Sequence, residues 1–229
     1  MRNIHNFSSL LKKKTLHSPL MIAAGLGACL AIIVTMAVTG WVVPAALPAL
    51  VAPIGASSVL VFAIPASPLA SPRAVIGGNT LSALLGIMVG LLITNPFLAA
   101  GVAVGLAIVA MAATGTLHPP GGAAALTAVL LHPQTLDLEA VLAFPFIPVC
   151  LNSAVLVGVG LLFHRISGHS YPHKAAPLPP QPATALHIQR EDVLSALENA
   201  EDVFDIAVGD LERLLVLAEQ HAHARQALP

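Results

Sequence analysis

The sequence predicts an all-α integral membrane protein: about six membrane segments, two of them broken helices, then a short cytoplasmic helical hairpin. Three observations carry that reading. The 229-residue chain is 56 % hydrophobic and 9 % charged, whereas a soluble domain carries about a quarter charged residues. Between Pro19 and Phe163 the only Asp, Glu, Lys or Arg residues are Arg73, Asp137 and Glu139. The apolar runs between those charges approach the length of about 20 residues that spans a bilayer core. The composition excludes a water-soluble globular domain, and a formal net charge of -1 gives no sign of a nucleic-acid partner.

Residues 1–18 form a basic start with Lys12, Lys13 and Lys14. Such a start also suits a signal peptide, and "LGAC" (Leu26 to Cys29) resembles a lipoprotein cleavage box. The apolar run continues to Val43 and further spans follow, so it reads as the first span, Leu20 to Val43. The second segment, Ala45 to Ala66, is interrupted by Pro48, Pro53 and Gly55. The third, Ala74 to Thr94, stops at Asn95 and Pro96. The fourth runs from Phe97 to Ala113, and the fifth, Pro119 to Leu131, is short. The sixth, Leu138 to Phe163, passes through Pro145 and Pro148. Residues 19–165 make up this membrane domain. Cys29 and Cys150 read as two small buried thiols, with neither a disulfide framework nor a metal site.

With six crossings, Lys12 to Lys14, Arg73, Arg165 and Lys174 fall on one side, and Asp137 and Glu139 on the other. The positive-inside rule then puts both termini in the cytoplasm, here of a bacterial inner membrane. Residues 166–187 include "YPHKAAPLPPQPA", a semi-rigid proline-rich linker. Residues 188–229 are acidic and amphipathic. Val193, Leu197, Ala200 and Phe204 form one stripe, and Leu211, Leu214, Leu215 and Ala218 another, with Asp210 starting the second helix. Such a hairpin is too short to bury a core alone. It calls for a partner, which fits a homo-oligomer.

The second and fifth segments share a signature, "PIGASSVL" from Pro53 and "PGGAAALT" from Pro120. "SALLGIMVGLLI" (Ser82 to Ile93) aligns with "NSAVLVGVGLLF" (Asn152 to Phe163) in the third and sixth. Segments one to three thus read as repeated in four to six. Each unit makes three crossings, so the second is inverted, and broken helices at matching positions point to a transport site.

Proline fits the first turn of a helix and glycine allows close approach. "HPPGG" and "APIGA" therefore read as fresh helix starts inside the membrane, entered from opposite faces. Two such starts near the midplane would bind an anion through free N–H groups. The candidate residues are Gly55, Ala56, Ser57 and Ser58 on one side, and His118, Pro119, Pro120, Gly121 and Gly122 on the other. Asn79 and Thr116 add neutral donors. Small residues also let helices pack tightly, so "GASS" alone suits packing as well as contact with an anion. An ionisable residue in a membrane segment is functional by default, which singles out His118. His132 reads as interfacial, and His164, His169 and His173 as solvated loop residues.

"HPPGGAAAL" (His118 to Leu126) resembles the motif that names the HPP family of integral membrane proteins. The stretch from Gly55 to Gly86 resembles that family's other block, of the form GAS-VLLF-P-SPLAQPRN-GH. The tail from Glu191 to Leu215 resembles the segment preceding CBS domains in longer bacterial members, and no CBS pair follows it here. The resemblance implies membrane transport, with plastid members linked to nitrite. Ala74 and Asn79 stand where the family has the asparagine of "PRN" and the histidine of "GH". The expected protein is thus a transporter or channel for a small inorganic anion, nitrite first, with no metal or other cofactor. The alternatives are a membrane-anchored sensor or scaffold signalling through the tail, and an intramembrane hydrolase with Ser57 or Ser58 as nucleophile and His118 as base.

Overall fold

The computed structural model describes residues 19–178, 189–199 and 205–226. The basic start, most of the proline-rich linker, and Ala200 and Phe204 of the first tail stripe lie outside the described residues. Among the described residues every regular element is helical.

Helix α1 covers Pro19–Gly40. Helix α2 is only Pro53–Ala63. Residues 41–52 stay in turns, because Pro44, Pro48 and Pro53 each remove an amide donor there. A π-turn at Ala74–Gly78 leads into α3, Asn79–Leu92. Helix α4, Pro96–Thr114, starts where Asn95 Oδ1 accepts the Leu98 N–H at 3.1 Å. It ends at Gly115, whose φ of 63° lies in the left-handed region that glycine enters at little cost. Helix α5 is Pro120–Leu130. Helix α6, Leu138–Ala143, is capped by Asp137, whose Oδ1 accepts from Ala140 N at 2.7 Å. It continues through a π-turn, Pro145–Cys150, into α7, Leu151–Ser167. Pro148 supplies no N–H, and Val149 N reaches back five residues to the Phe144 carbonyl.

Four helical stretches are long and apolar enough to cross a membrane: Met21–Gly40, Ala74–Leu92, Pro96–Thr114 and Leu138–Ser167. Helices α2 and α5 have 11 residues each, about 17 Å of helix, too short to cross. The order long, short, long therefore occurs twice, with a π-turn opening α3 and another opening α7.

Contacts give the directions. Gly78 meets His118, Gly86 meets Ala125, and Gly90 meets Pro133, so α3 and α5 run the same way. Gly27 meets Phe163 while Thr39 bonds Asn152, so α1 and α7 run in opposite senses. Val51 bonds Asn152 and the Val61 carbonyl bonds His164, so α2 runs the same way as α7, while α5 runs from the His118 turn beside Arg73 toward Asp137, opposite to α7. The two short helices thus have opposite senses. The start of α1, Arg73, the end of α4 and Arg165 share one end, called the basic end below. Asp137 and Glu139 lie at the other, which is the charge separation the six-segment reading expects.

The packing is the inverse of a water-soluble protein. Large side chains such as Ile22, Leu26, Ile33, Phe97, Ile108 and Val109 cover the outer surface. The interior contacts are small: Ala99, Ala103 and Ala107 line the inner face of α4, and Ala124, Ala125 and Ala128 that of α5. Midway along the span Leu138–Ser167, buried Asn152 gathers the irregular segment. Its Oδ1 accepts from Val51 N at 3.0 Å, and its Nδ2 donates to Thr39 Oγ1 at 2.8 Å and to the Ala49 carbonyl at 3.1 Å.

The tail contains α8, Arg190–Glu198, and α9, Val208–Gln226. Val193 and Val216 are buried where the tail packs. Ser67 Oγ donates to Asp205 at 2.8 Å, and His173 Nε2 lies 2.6 Å from Asp210 Oδ2, so the tail returns to the basic end.

Candidate functional site

The turn between α4 and α5 is laid directly on the start of α3. A Cβ at position 78 would lie 2.5 Å from the Thr116 carbonyl and 2.8 Å from His118 Cβ. Glycine at that position admits His118 to the interior, where its exposure is 0 %. Arg73 fixes the same turn from outside by donating to the Thr114 carbonyl at 2.7 Å.

His118 bridges two elements. Its Nδ1 lies 2.8 Å from the carbonyl of Leu69, in the short 3₁₀ turn Pro68–Ala70 that follows α2. A carbonyl only accepts, so Nδ1 carries the proton, and Nε2 of the neutral ring is an acceptor. Ser57 Oγ, 2.8 Å from Nε2, is therefore the donor. Its distance of 3.1 Å to the Pro53 carbonyl is then a contact made without the proton. Ser57 in turn accepts from Asn79 Nδ2 at 3.2 Å. The second Asn79 N–H donates to Ser153 Oγ at 3.1 Å, and Ser153 donates to the Val149 carbonyl at 2.8 Å. The result is a directed chain linking α7, α3, α2, the α5 entry and the Leu69 turn.

Ser57, Asn79, Ser82, His118 and Ser153 are all fully buried. Asn79 Oδ1 and Ser82 Oγ have no hydrogen-bond partner among the described residues. They are separated by three positions, on one face of α3. Asn79 lies five residues into the span Ala74–Leu92, about 8 Å from its basic end. The cluster is thus nearer that end than the middle of the span.

Other expected site residues are placed differently. Gly55 and Ala56 are exposed on the outer face of α2, and a Cβ at Gly55 would meet nothing within 4 Å. Successive helical residues turn by about 100°, so they and Ser57 do not face one cavity. Ser58 is buried but donates to the Gly55 carbonyl of its own helix at 2.7 Å. Pro119 is exposed and Pro120 buried at the first turn of α5. Gly121 is a packing position, because its Cβ would lie 2.7 Å from Met111 Sδ and 2.8 Å from Ser82 Oγ. Gly122 faces Val104 more loosely. Thr116 bonds Thr114 at 2.8 Å and buttresses Gly77.

The N–H groups expected to be free at the helix starts are used locally. Gly121 N donates to the His118 carbonyl at 2.8 Å and Gly122 N to the Pro119 carbonyl at 3.1 Å. Ile54 N and Gly55 N close the same three-residue turns on Val51 and Ala52, at 3.1 and 3.0 Å.

Sequence reasoning missed the Leu69 carbonyl, Ser82, Ser153 and His164. His164 had been expected in solvent. It is buried, with Nε2 donating to the Val61 carbonyl at 2.8 Å and its ring among Phe62, Phe163 and Tyr171. Asn152, Leu156, Gly160 and His164 form one buried i, i+4 stripe of α7, which is the signal that reveals it. Outside the span, Tyr171 donates to the Ala70 carbonyl at 2.9 Å, and burial raises its hydroxyl pKa above the ordinary value, which keeps it a donor.

A family model described as HPP, transmembrane region, matches residues 13–172. Two transmembrane proteins of Dictyostelium discoideum are similar. One is 38 % identical over 128 residues, 54 % of this chain and 44 % of the relative. The other is 39 % identical over 116 residues, 49 % of this chain and 36 % of the relative. The chain thus spans less than half the length of these curated relatives. No solved structure matches it.

Proposed function

The chain belongs to the HPP transmembrane family, and from that premise we propose that it is a transporter or channel for a small inorganic anion, nitrite first. The observation that carries this reading is the fully buried polar chain Asn79–Ser57–His118, enclosed in a nearly uncharged membrane body. Polar side chains at membrane depth are costly and are kept where a solute crosses. The chain lies between the first turns of two half-helices of opposite sense, the arrangement of an inverted-repeat transporter. With the basic end in the cytoplasm of a bacterial inner membrane, both termini are cytoplasmic. The outward-facing Gly55 and Ala56 and the apolar stripes of the tail suit a homo-oligomer.

The test is nitrite uptake by proteoliposomes of the purified protein. Uptake should exceed that of protein-free vesicles and persist when residues 190–229 are deleted. Uptake equal to that of empty vesicles refutes transport. Uptake lost on deletion favours a scaffold acting through the tail.

A second reading comes from Ser57 Oγ at 2.8 Å from His118 Nε2, the spacing of a serine nucleophile and its base. Here a neutral carbonyl orients the histidine, and the N–H groups of Ile54, Gly55, Gly121 and Gly122 are used in turns, which weighs against an oxyanion site among the described residues. A fluorophosphonate probe should therefore leave Ser57 unlabelled.

A further inference from the structure

We propose that the buried cluster takes its cargo as a neutral hydrogen-bond donor, the protonated acid of a small weak-acid anion, in preference to the anion itself. This rests on the transport reading above and concerns the form in which the solute occupies the site.

Apart from the Ser82 hydroxyl, the donors of the cluster are already committed. The His118 Nδ1 proton goes to the Leu69 carbonyl, and the Ser57 proton goes to His118 Nε2. Both Asn79 N–H groups go to serine oxygens, and the Ser153 proton to Val149. The first N–H groups of both half-helices close their own turns. Arg73, the only Lys or Arg between Pro19 and Phe163, sits outside the cluster, where its guanidinium donates to the Thr114 carbonyl.

Among the described residues, what remains without a partner in the cluster is an acceptor, Asn79 Oδ1, and a hydroxyl, Ser82 Oγ, both wholly buried. Asn79 Oδ1 presents lone pairs, which repel an anion and need a donor. An unpartnered acceptor at this depth is costly, so a ligand that donates to it gains the most. A molecule with one O–H and one adjacent acceptor oxygen complements the pair. Its O–H donates to Asn79 Oδ1, and its other oxygen accepts from the Ser82 hydroxyl one turn away. Nitrous acid and formic acid both have this shape. A cation such as ammonium lacks a counter-charge here, since no acidic residue lies between Pro19 and Leu136. The proton enters on the acid and leaves with it, so transfer is electroneutral and His118 stays neutral throughout.

The experiment compares nitrite, formate and nitrate uptake by proteoliposomes, subtracting protein-free vesicles to remove direct permeation of the acids. The proposal expects the protein-dependent nitrite rate, below saturation, to rise about tenfold per unit fall in external pH between about pH 8 and about pH 6. It expects formate to behave the same way, nitrate (the anion of a strong acid) to be excluded, and a potassium–valinomycin potential to leave the rates unchanged. Nitrite flux that follows the potential and is flat with pH, or nitrate carried as fast as nitrite, overturns the proposal while transport stands. Absence of protein-dependent flux for all three probes overturns both.

Discussion

Gly86→Val is expected to separate α3 from α5 and destabilise the fold by about 3 kcal/mol, near the upper range for overpacking. A Cβ at position 86 meets the Ala125 carbonyl oxygen, lies 2.7 Å from Ala128 Cβ, and lies 2.9 Å from Ala125 Cα. Two of these atoms are backbone and none belongs to a flexible side chain, so relief requires moving a helix. The loss should appear as a lower thermal midpoint in detergent and a smaller folded fraction on size exclusion. Gly105→Ala is the control. Nothing lies within 4 Å of that Cβ, and alanine is the better helix former. A Gly86→Val protein melting with wild type would contradict the α3–α5 packing described.

His118→Ala is expected to cut nitrite flux through the folded protein. The change removes the acceptor of Ser57 and the donor to Leu69 at once, leaving buried polar groups without partners. A loss of about 1–3 kcal/mol, roughly 5- to 150-fold in rate, is the scale of such a change. His118→Gln keeps a neutral donor and acceptor on a side chain of similar reach, and should restore much of the rate. If His118→Gln is as inactive as His118→Ala while both fold, a protonated imidazole is required and the neutral chain of hydrogen bonds is the wrong account.

Much of the architecture could be read from charge and periodicity alone. Arg73, Arg165, Asp137 and Glu139 sort the ends of the helices, and the structure places them accordingly. "HPPGG" announces a helix start, and α5 begins at Pro120. The site was legible only in part. His118, Ser57 and Asn79 meet, while Gly55 and Ala56 belong to the same motif but to another helix face. Whether a first-turn N–H is free depends on three-residue bonds, such as Gly121 to His118, that no side chain encodes. The Leu69 carbonyl that sets the tautomer is a backbone group, invisible to any reading of residue types. His164 could have been found had the α7 stripe been followed one turn further.

The most direct test of the account uses two adjacent serines. Ser57 donates to His118, whereas Ser58 bonds only the Gly55 carbonyl within α2. Nitrite flux is to be measured in proteoliposomes carrying equal amounts of folded wild type, Ser57→Ala and Ser58→Ala. If solute passes through the cluster around His118, Ser57→Ala loses flux several-fold and Ser58→Ala retains the wild-type rate. Equal rates for the two variants, at whatever level, would contradict it.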